Sequence, residues 1–259
     1  MIIDLHNHTS LCNHAEGTIE EFVEKAIELN IDIFGFADHA PMNLDQAYRM
    51  NFSQMDTYEK DVLKAKKNYK NNIEVLLGYE VDYLEGYIDE SVLKRKVDYF
   101  IGSVHFLGKW GFDNPEFIGE YKNKDLDVVW SDYFKAIENM AKTKLFDIVG
   151  HIDLIKLFNF MPTKDIRLIA EPAIREIKKA DMVVEINSAG IRKPIGEQYP
   201  SVAIMEMLAE HDIKITFGSD AHYVNQIGFK QDEMRNLAKQ FGYSKCAVFK
   251  NRQRKMVDF

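Results

Sequence analysis

Seven apolar, strand-like runs punctuate this sequence, at 2–5, 32–37, 74–79, 97–104, 146–150, 182–186 and 213–217, with helical periodicity between them. Repeated strand–helix alternation of this kind specifies an α/β fold built on a parallel sheet. The helices carry their own signals. Thr18 and Glu21 predict a capping box ahead of a face made by Ile19, Phe22, Val23, Ala26 and Ile27. Met55, Tyr58, Val62, Ala65 and Tyr69 repeat at three and four residues, which leaves the lysines of "KAKKNYK" for a solvated face. No Gly/Ser-rich linker or composition break divides the chain, so one domain over residues 1–259 is expected, made of seven βα units. A closed or nearly closed parallel barrel fits the pattern. An open doubly wound sheet is the alternative, because periodicity does not report closure.

With 259 residues, 46% of them hydrophobic, the chain can bury a large core. Its net charge of −8 opposes binding to duplex nucleic acid, and an anionic substrate would need local positive charge. The basic tail "KNRQRK" reads as a solvated terminus rather than a nucleic-acid arm. No apolar run approaches the roughly 18 residues of a membrane span, and "MIIDLHNH" lacks the features of a signal peptide; a cytoplasmic protein with no membrane partner is expected. Cys12 and Cys246 lie far apart without metal-type spacing and read as reduced thiols.

The placement of the polar residues is more informative. "IIDLHNHTSLCNH" puts His6, His8 and His14 at and beyond the end of the first strand, and alternation points His6 and His8 to one side. The second strand ends at His39 in "FADHA", the third at Glu80 in "LLGYEVDY", the fourth at His105 in "IGSVHF", and the fifth at His151 in "DIVGHID". The seventh ends in "ITFGSDAH", with Asp220 and His222. A parallel barrel opens all these carboxyl ends onto one face. His211, in "LAEHDIK", follows a helical pattern and reads as structural or exposed.

A lone histidine on such a segment is usually a packed core residue. Seven of the eight histidines gathered with carboxylates at strand ends would be costly to desolvate without a cation to satisfy them. Nine candidate ligands exceed what one ion takes, so two or three ions are expected, with the two oxygens of Glu80 able to bridge a pair. Mixed imidazole and carboxylate donors suit zinc, iron or manganese.

The set "HNH…H", "ADH", "E", "GSVH", "GHID" and "SDAH" resembles the polymerase and histidinol phosphatase (PHP) superfamily of metal-dependent phosphoesterases, from residue 2 to about 225. That resemblance implies a distorted (βα)7 TIM-like barrel. "IGSVHFLGKWGFDNPE" and "EINSAGIRKPIGEQYPS" are similar to the PHP-type histidinol-phosphatases of bacterial histidine biosynthesis. Carried over motif by motif, the resemblance assigns His6, His8, Glu80 and Asp220 to one ion. Glu80, His105 and His151 fall to a second, and His14, His39 and His222 to a third, the ion expected to be lost first.

The activity implied is hydrolysis of L-histidinol phosphate to L-histidinol and phosphate, with a metal-bridging hydroxide as nucleophile. Glu80, Asp220 and His222 are the expected catalytic residues. The leaving oxygen needs a proton, from metal-bound water or from an imidazole such as His222. Asp38 and Asp153, close to ligand histidines, are candidates for orienting imidazoles, or are ordinary turn carboxylates. The sixth strand ends at "EINSAG" without histidine and leads to Arg192 and Lys193, candidate phosphate ligands, of which Arg192 offers the planar two-pronged donor. "FLGKWGFDNPEFIGEY" is expected either to wall the substrate or to pack on the barrel rim. Three alternatives stand beside this reading: another small-molecule phosphoesterase of the superfamily, a noncatalytic metal-stabilised PHP module, and an amidohydrolase on a related barrel. The "GSVH" and bridging-Glu arrangement favours the phosphatase over the last.

Overall fold

The computed structural model describes all residues from Met1 to Phe259. The chain begins with β1 (Ile3–Asp4), α1 (Ile19–Glu28), β2 (Ile33–His39), α2 (Met55–Asn68) and β3 (Glu74–Asp82). A single helical turn, α3 (Glu90–Leu93), precedes β4 (Tyr99–Ser103) and a small hairpin of β5 (Phe106–Leu107) and β6 (Trp110–Gly111). Then come α4 (Leu126–Thr143), β7 (Ile148–Val149), α5 (Ile166–Ala180), β8 (Val183–Asn187), α6 (Val202–Glu210), β9 (Lys214–Gly218) and α7 (Gln231–Gln240). A second hairpin, β10 (Lys245–Lys250) with β11 (Gln253–Asp258), ends the chain.

Seven strands form one parallel sheet in the order β1-β2-β3-β4-β7-β8-β9. Its two edges meet: Leu5 N–H donates to Phe217 C=O at 2.9 Å, Asp220 N–H to His6 C=O at 2.7 Å and His8 N–H to Ala221 C=O at 2.9 Å. These bonds decide between barrel and open sheet in favour of a nearly closed barrel, since closure removes the exposed edges.

Local signals account for the outer layer. Thr18 and Glu21 make the reciprocal capping box, and α1 buries Phe22, Val23 and Ala26. α2 buries Met55, Tyr58, Val62 and Ala65, while Tyr69 sits at its C-cap with its hydroxyl on Glu24. Inside the barrel, Tyr99 is fully buried and donates its hydroxyl to Leu5 C=O at 2.6 Å. Gly35 and Gly78 form the slot for its ring, because a Cβ at either would overlap it.

The basic tail is largely exposed, as expected, but it is an ordered hairpin fastened to the barrel. Arg252 pairs with Asp147 and Arg254 with Asp181, and Arg252 N–H donates to Asp98 C=O. Those aspartates lead into β4, β7 and β8, so the hairpin closes the amino-terminal mouth of the barrel and packs Phe249 6.1 Å from the Tyr99 ring. Chemistry is left the opposite mouth. His211, at the C-cap of α6, lies away from it, 3.5 Å from Glu171. No helix is long and apolar enough to cross a membrane.

Candidate metal centre

Parallel register brings the strand-end residues together. His39 and Glu80 are direct partners across β2 and β3, and His39 Nδ1 lies 2.9 Å from Glu80 Oε2. Glu80 is almost fully buried and central. Its Oε2 is 3.4 Å from His6 Nε2 and 3.7 Å from His8 Nε2; its Oε1 is 2.9 Å from His151 Nε2 and 3.6 Å from His105 Nε2. Asp220 completes the first side, with Oδ1 3.1 Å from His8 Nε2 and 4.0 Å from His6 Nε2. Its backbone is left-handed, at φ 52°, a conformation that aspartate tolerates better than most residues. Three groups of donor atoms result, each within 4.8 Å of one another: His6, His8 and Glu80; Glu80, His105 and His151; His14, His39 and His222. Cys12 Sγ falls in a further group with His8 and His222. It is fully buried among nitrogen and oxygen donors, and burial pushes its thiol pKa up, away from the thiolate a metal would bind.

Hydrogen bonding on the outer ring nitrogens explains why the inner ones are free. His6 Nδ1 lies 2.8 Å from Glu185 Oε1, His105 Nδ1 2.6 Å from Asp82 Oδ1, and His8 Nδ1 3.4 Å from Asp38 Oδ1. His14 Nδ1 faces Cys12 C=O at 2.9 Å, and His222 Nδ1 faces Asp220 C=O at 3.2 Å. Ionised carboxylates and carbonyls only accept, so each Nδ1 carries a hydrogen, and in the neutral imidazole the Nε2 lone pair is the one left for an ion. The buried Nε2 atoms of His6 and His222 have no hydrogen-bond partner, and Nδ1 of His39 and Oε2 of Glu80, although 2.9 Å apart, are not aligned for a hydrogen bond. Nε2 atoms of His105 and His151 face each other at 3.3 Å. Orphaned donors converging on one another fit a metal ion.

The electrostatics agree. Burial opposes charge on His6, His8 and His105, yet the carboxylates around them prevail: His6 is held well above the usual imidazole value, His8 at about 9 and His105 at about 10. Burial likewise opposes ionisation of Glu80 and Asp220, and the histidines override it and hold both well below the carboxylate range. The site thus calls for positive charge, which a divalent ion supplies while leaving imidazoles neutral. In the third group burial dominates. It lowers His14, takes His39 down to about 4 and holds His222 well below the imidazole range, so all three offer lone pairs at neutral pH.

Above these groups opens a cavity of about 500 Å³, a size suited to a small metabolite. Arg192 and Lys193 line it, as expected of the loop after β8. Arg192 Nη2 donates to the carbonyls of Ser219 at 2.9 Å and Asp220 at 3.1 Å, its guanidinium lies 5.1 Å from the Phe229 ring, and its buried Nη1 has no partner. The aromatic insertion does both things expected of it: Trp110, Phe112 and Tyr121 are buried against the barrel, while Phe106, Asp113 and Phe117 line the cavity.

Of the two readings open for Asp153, the structure takes the structural carboxylate. Asp153 orients no imidazole; its carboxylate accepts from Ser201 N–H at 2.7 Å and pairs with buried Lys156 at 3.1 Å, fastening the loop that carries Arg192. The residues that do hold imidazoles beside Asp38, namely Asp82 and Glu185, escaped sequence reasoning although each left a signal. Asp82 stands two residues after Glu80 on the same strand, and Glu185 is a lone carboxylate inside the apolar run "VVEIN". Asp82 is in turn paired at 2.6 Å with Arg49, and both are buried.

Known proteins are similar to this chain over most of its length. A Deinococcus radiodurans protein named "Probable histidinol-phosphatase" is 36% identical over 234 residues, covering 88% of this chain and 89% of that protein. The Bacillus subtilis protein named "Histidinol-phosphatase" is 27% identical, covering 87% of this chain and 95% of its own length. Among solved structures, a Listeria monocytogenes chain superposes with a TM-score of 0.79 at 28% identity, over 89% of this chain and 99% of that one. The histidinol phosphate phosphatase of Lactococcus lactis, solved with zinc, L-histidinol and phosphate, has the same fold, with a TM-score of 0.80 at 21% identity over 98% of each chain. The profile of the PHP domain matches residues 4–189. With that match spanning most of a barrel whose strand ends carry these converging imidazoles and carboxylates, the chain belongs to the PHP domain family.

Proposed function

We propose that this protein is a metal-dependent phosphomonoesterase that hydrolyses L-histidinol phosphate to L-histidinol and phosphate. The position of Glu80 carries the reading: one buried carboxylate is shared between two groups of imidazole nitrogens beneath a cavity that Arg192 also lines. The names of the relatives that cover nearly the whole chain narrow the phosphate ester to histidinol phosphate.

His6, His8, Glu80 and Asp220 would hold one ion, Glu80, His105 and His151 a second, and His14, His39 and His222 a third, from among zinc, iron and manganese. Such ions, when bound, supply an activated water near neutral pH and neutralise charge on the phosphoryl oxygens. The chain itself supplies orientation. Two backbone carbonyls hold Arg192 in the cavity wall, so its positive charge is already in place for a phosphoryl group. Lys193, exposed on the same loop, adds positive charge at the rim. The neutral state of His222 favours its role as ligand over that of proton donor. The cytoplasmic setting belongs to the same proposal, in keeping with two buried, unpaired cysteines.

Steady-state kinetics on a panel of phosphomonoesters, with metal analysis on the same samples, tests the reading. The expected result is kcat/KM for histidinol phosphate at least tenfold above the other esters, abolished by chelation and restored by metal. Equal rates across the panel would replace it with a broader phosphoesterase, and metal-loaded protein without turnover with a noncatalytic module.

A further inference from the structure

Four carboxylates line the cavity, Asp45, Glu80, Asp113 and Asp220. Three are engaged: Asp45 pairs with Arg49 at 3.3 Å, and Glu80 and Asp220 face the histidines. Asp113 is different. It belongs to none of the donor groups, and its partly buried carboxylate bonds to no side chain, only to its own backbone N–H, with His105 and His151 attracting it at longer range. The backbone that presents it is pinned on both sides. Phe112 is fully buried with its ring 5.4 Å from Tyr133, and its carbonyl accepts from Tyr121 at 3.2 Å; on the other side, Asn114 caps the 3-10 helix Pro115–Asn123 through Glu116 N–H at 2.9 Å.

A desolvated anion without a partner is costly, and is retained most readily where a ligand cation completes it. The cavity's free cationic groups, Arg192 and Lys193, stand on the loop after β8, whereas Asp113 stands on the insertion after β4. A ligand with an anionic end and a cationic end would therefore span two separate walls. We infer that Asp113 is a specificity-determining residue that receives the substrate's ammonium group, which selects amine-bearing phosphate esters over neutral ones. This rests on the histidinol phosphate reading, since L-histidinol phosphate carries an ammonium at neutral pH.

The test compares wild type, Asp113→Asn and Asp113→Glu on histidinol phosphate and on its desamino analogue, the phosphate ester of 3-(imidazol-4-yl)propanol, with L-histidinol binding measured by calorimetry. Asp113→Asn should lower kcat/KM for histidinol phosphate at least tenfold more than for the desamino ester, and weaken L-histidinol binding by a similar factor. Asp113→Glu, which keeps the charge, should recover part of both. Equal losses on the two esters, or no loss on either, would overturn the inference while a wild-type preference for histidinol phosphate still upheld the function. A wild type with no such preference would remove the function, and the inference with it.

Discussion

Glu185 holds His6 from outside the donor groups: its Oε1 lies 2.8 Å from His6 Nδ1, with both residues buried. The other oxygen, Oε2, accepts from His151 N–H at 3.0 Å, so one carboxylate sets a ligand of the first group and the backbone of a ligand in the second. Gly218 makes room, because a Cβ there would run into both Glu185 and His6. Glu185→Gln turns a donor-NH2 or a carbonyl toward His6 and no longer enforces its tautomer. Metal affinity should fall about 10- to 100-fold with circular dichroism unchanged, as read by chelator competition. Wild-type affinity in the variant would reduce Glu185 to a packing residue.

Glu80→Gln should abolish most turnover while the fold survives, because a neutral amide bridges two cations poorly. Thermal melts and metal stoichiometry on the same preparation separate lost bridging from lost folding. Near-normal activity with unchanged metal content would sink the shared-carboxylate role.

Arg192→Ala should leave metal content intact and reduce kcat/KM for histidinol phosphate at least tenfold, about 1.4 kcal/mol of transition-state stabilisation. Arg192→Lys should fall between, since an ammonium keeps the charge but lacks the planar fork that the two carbonyls hold in place. Kinetics on all three proteins checks the order.

Arg49 and Asp82 form a buried pair at 2.6 Å, and Arg49→Met would leave the buried carboxylate with His105 alone, at a cost of up to about 3 kcal/mol. Burial opposes ionisation of Asp82, but Arg49 and His105 hold its pKa below the usual aspartate value. A depressed folded pKa means that the unfolded chain binds the proton first as acid is added. The pair's stabilisation is therefore complete above the unfolded value of about 3.9 and drains away as pH falls toward the folded one. Denaturant titrations from pH 7 to pH 2 should show this loss in wild type and a shallower one in Arg49→Met.

The candidate ligands and the parallel strand–helix alternation were legible in sequence because both depend on local pattern. Alternation places His6 and His8 on one side of a strand, and strand–helix repetition puts His39, Glu80, His105, His151 and Asp220 at ends that any parallel barrel gathers on one face. What those residues touch behind the site was decided only by tertiary structure. His6 and Glu185 are 179 positions apart, His105 and Asp82 meet across neighbouring strands, and Asp153 pairs with Lys156. Closure between β1 and β9, the hairpin that plugs the far mouth, and the two carbonyls that fix Arg192 belong to the same class. Each depends on strand register and loop packing set cooperatively by the whole core, and a carboxylate in an apolar run reveals that it needs a partner without revealing which one the register will bring.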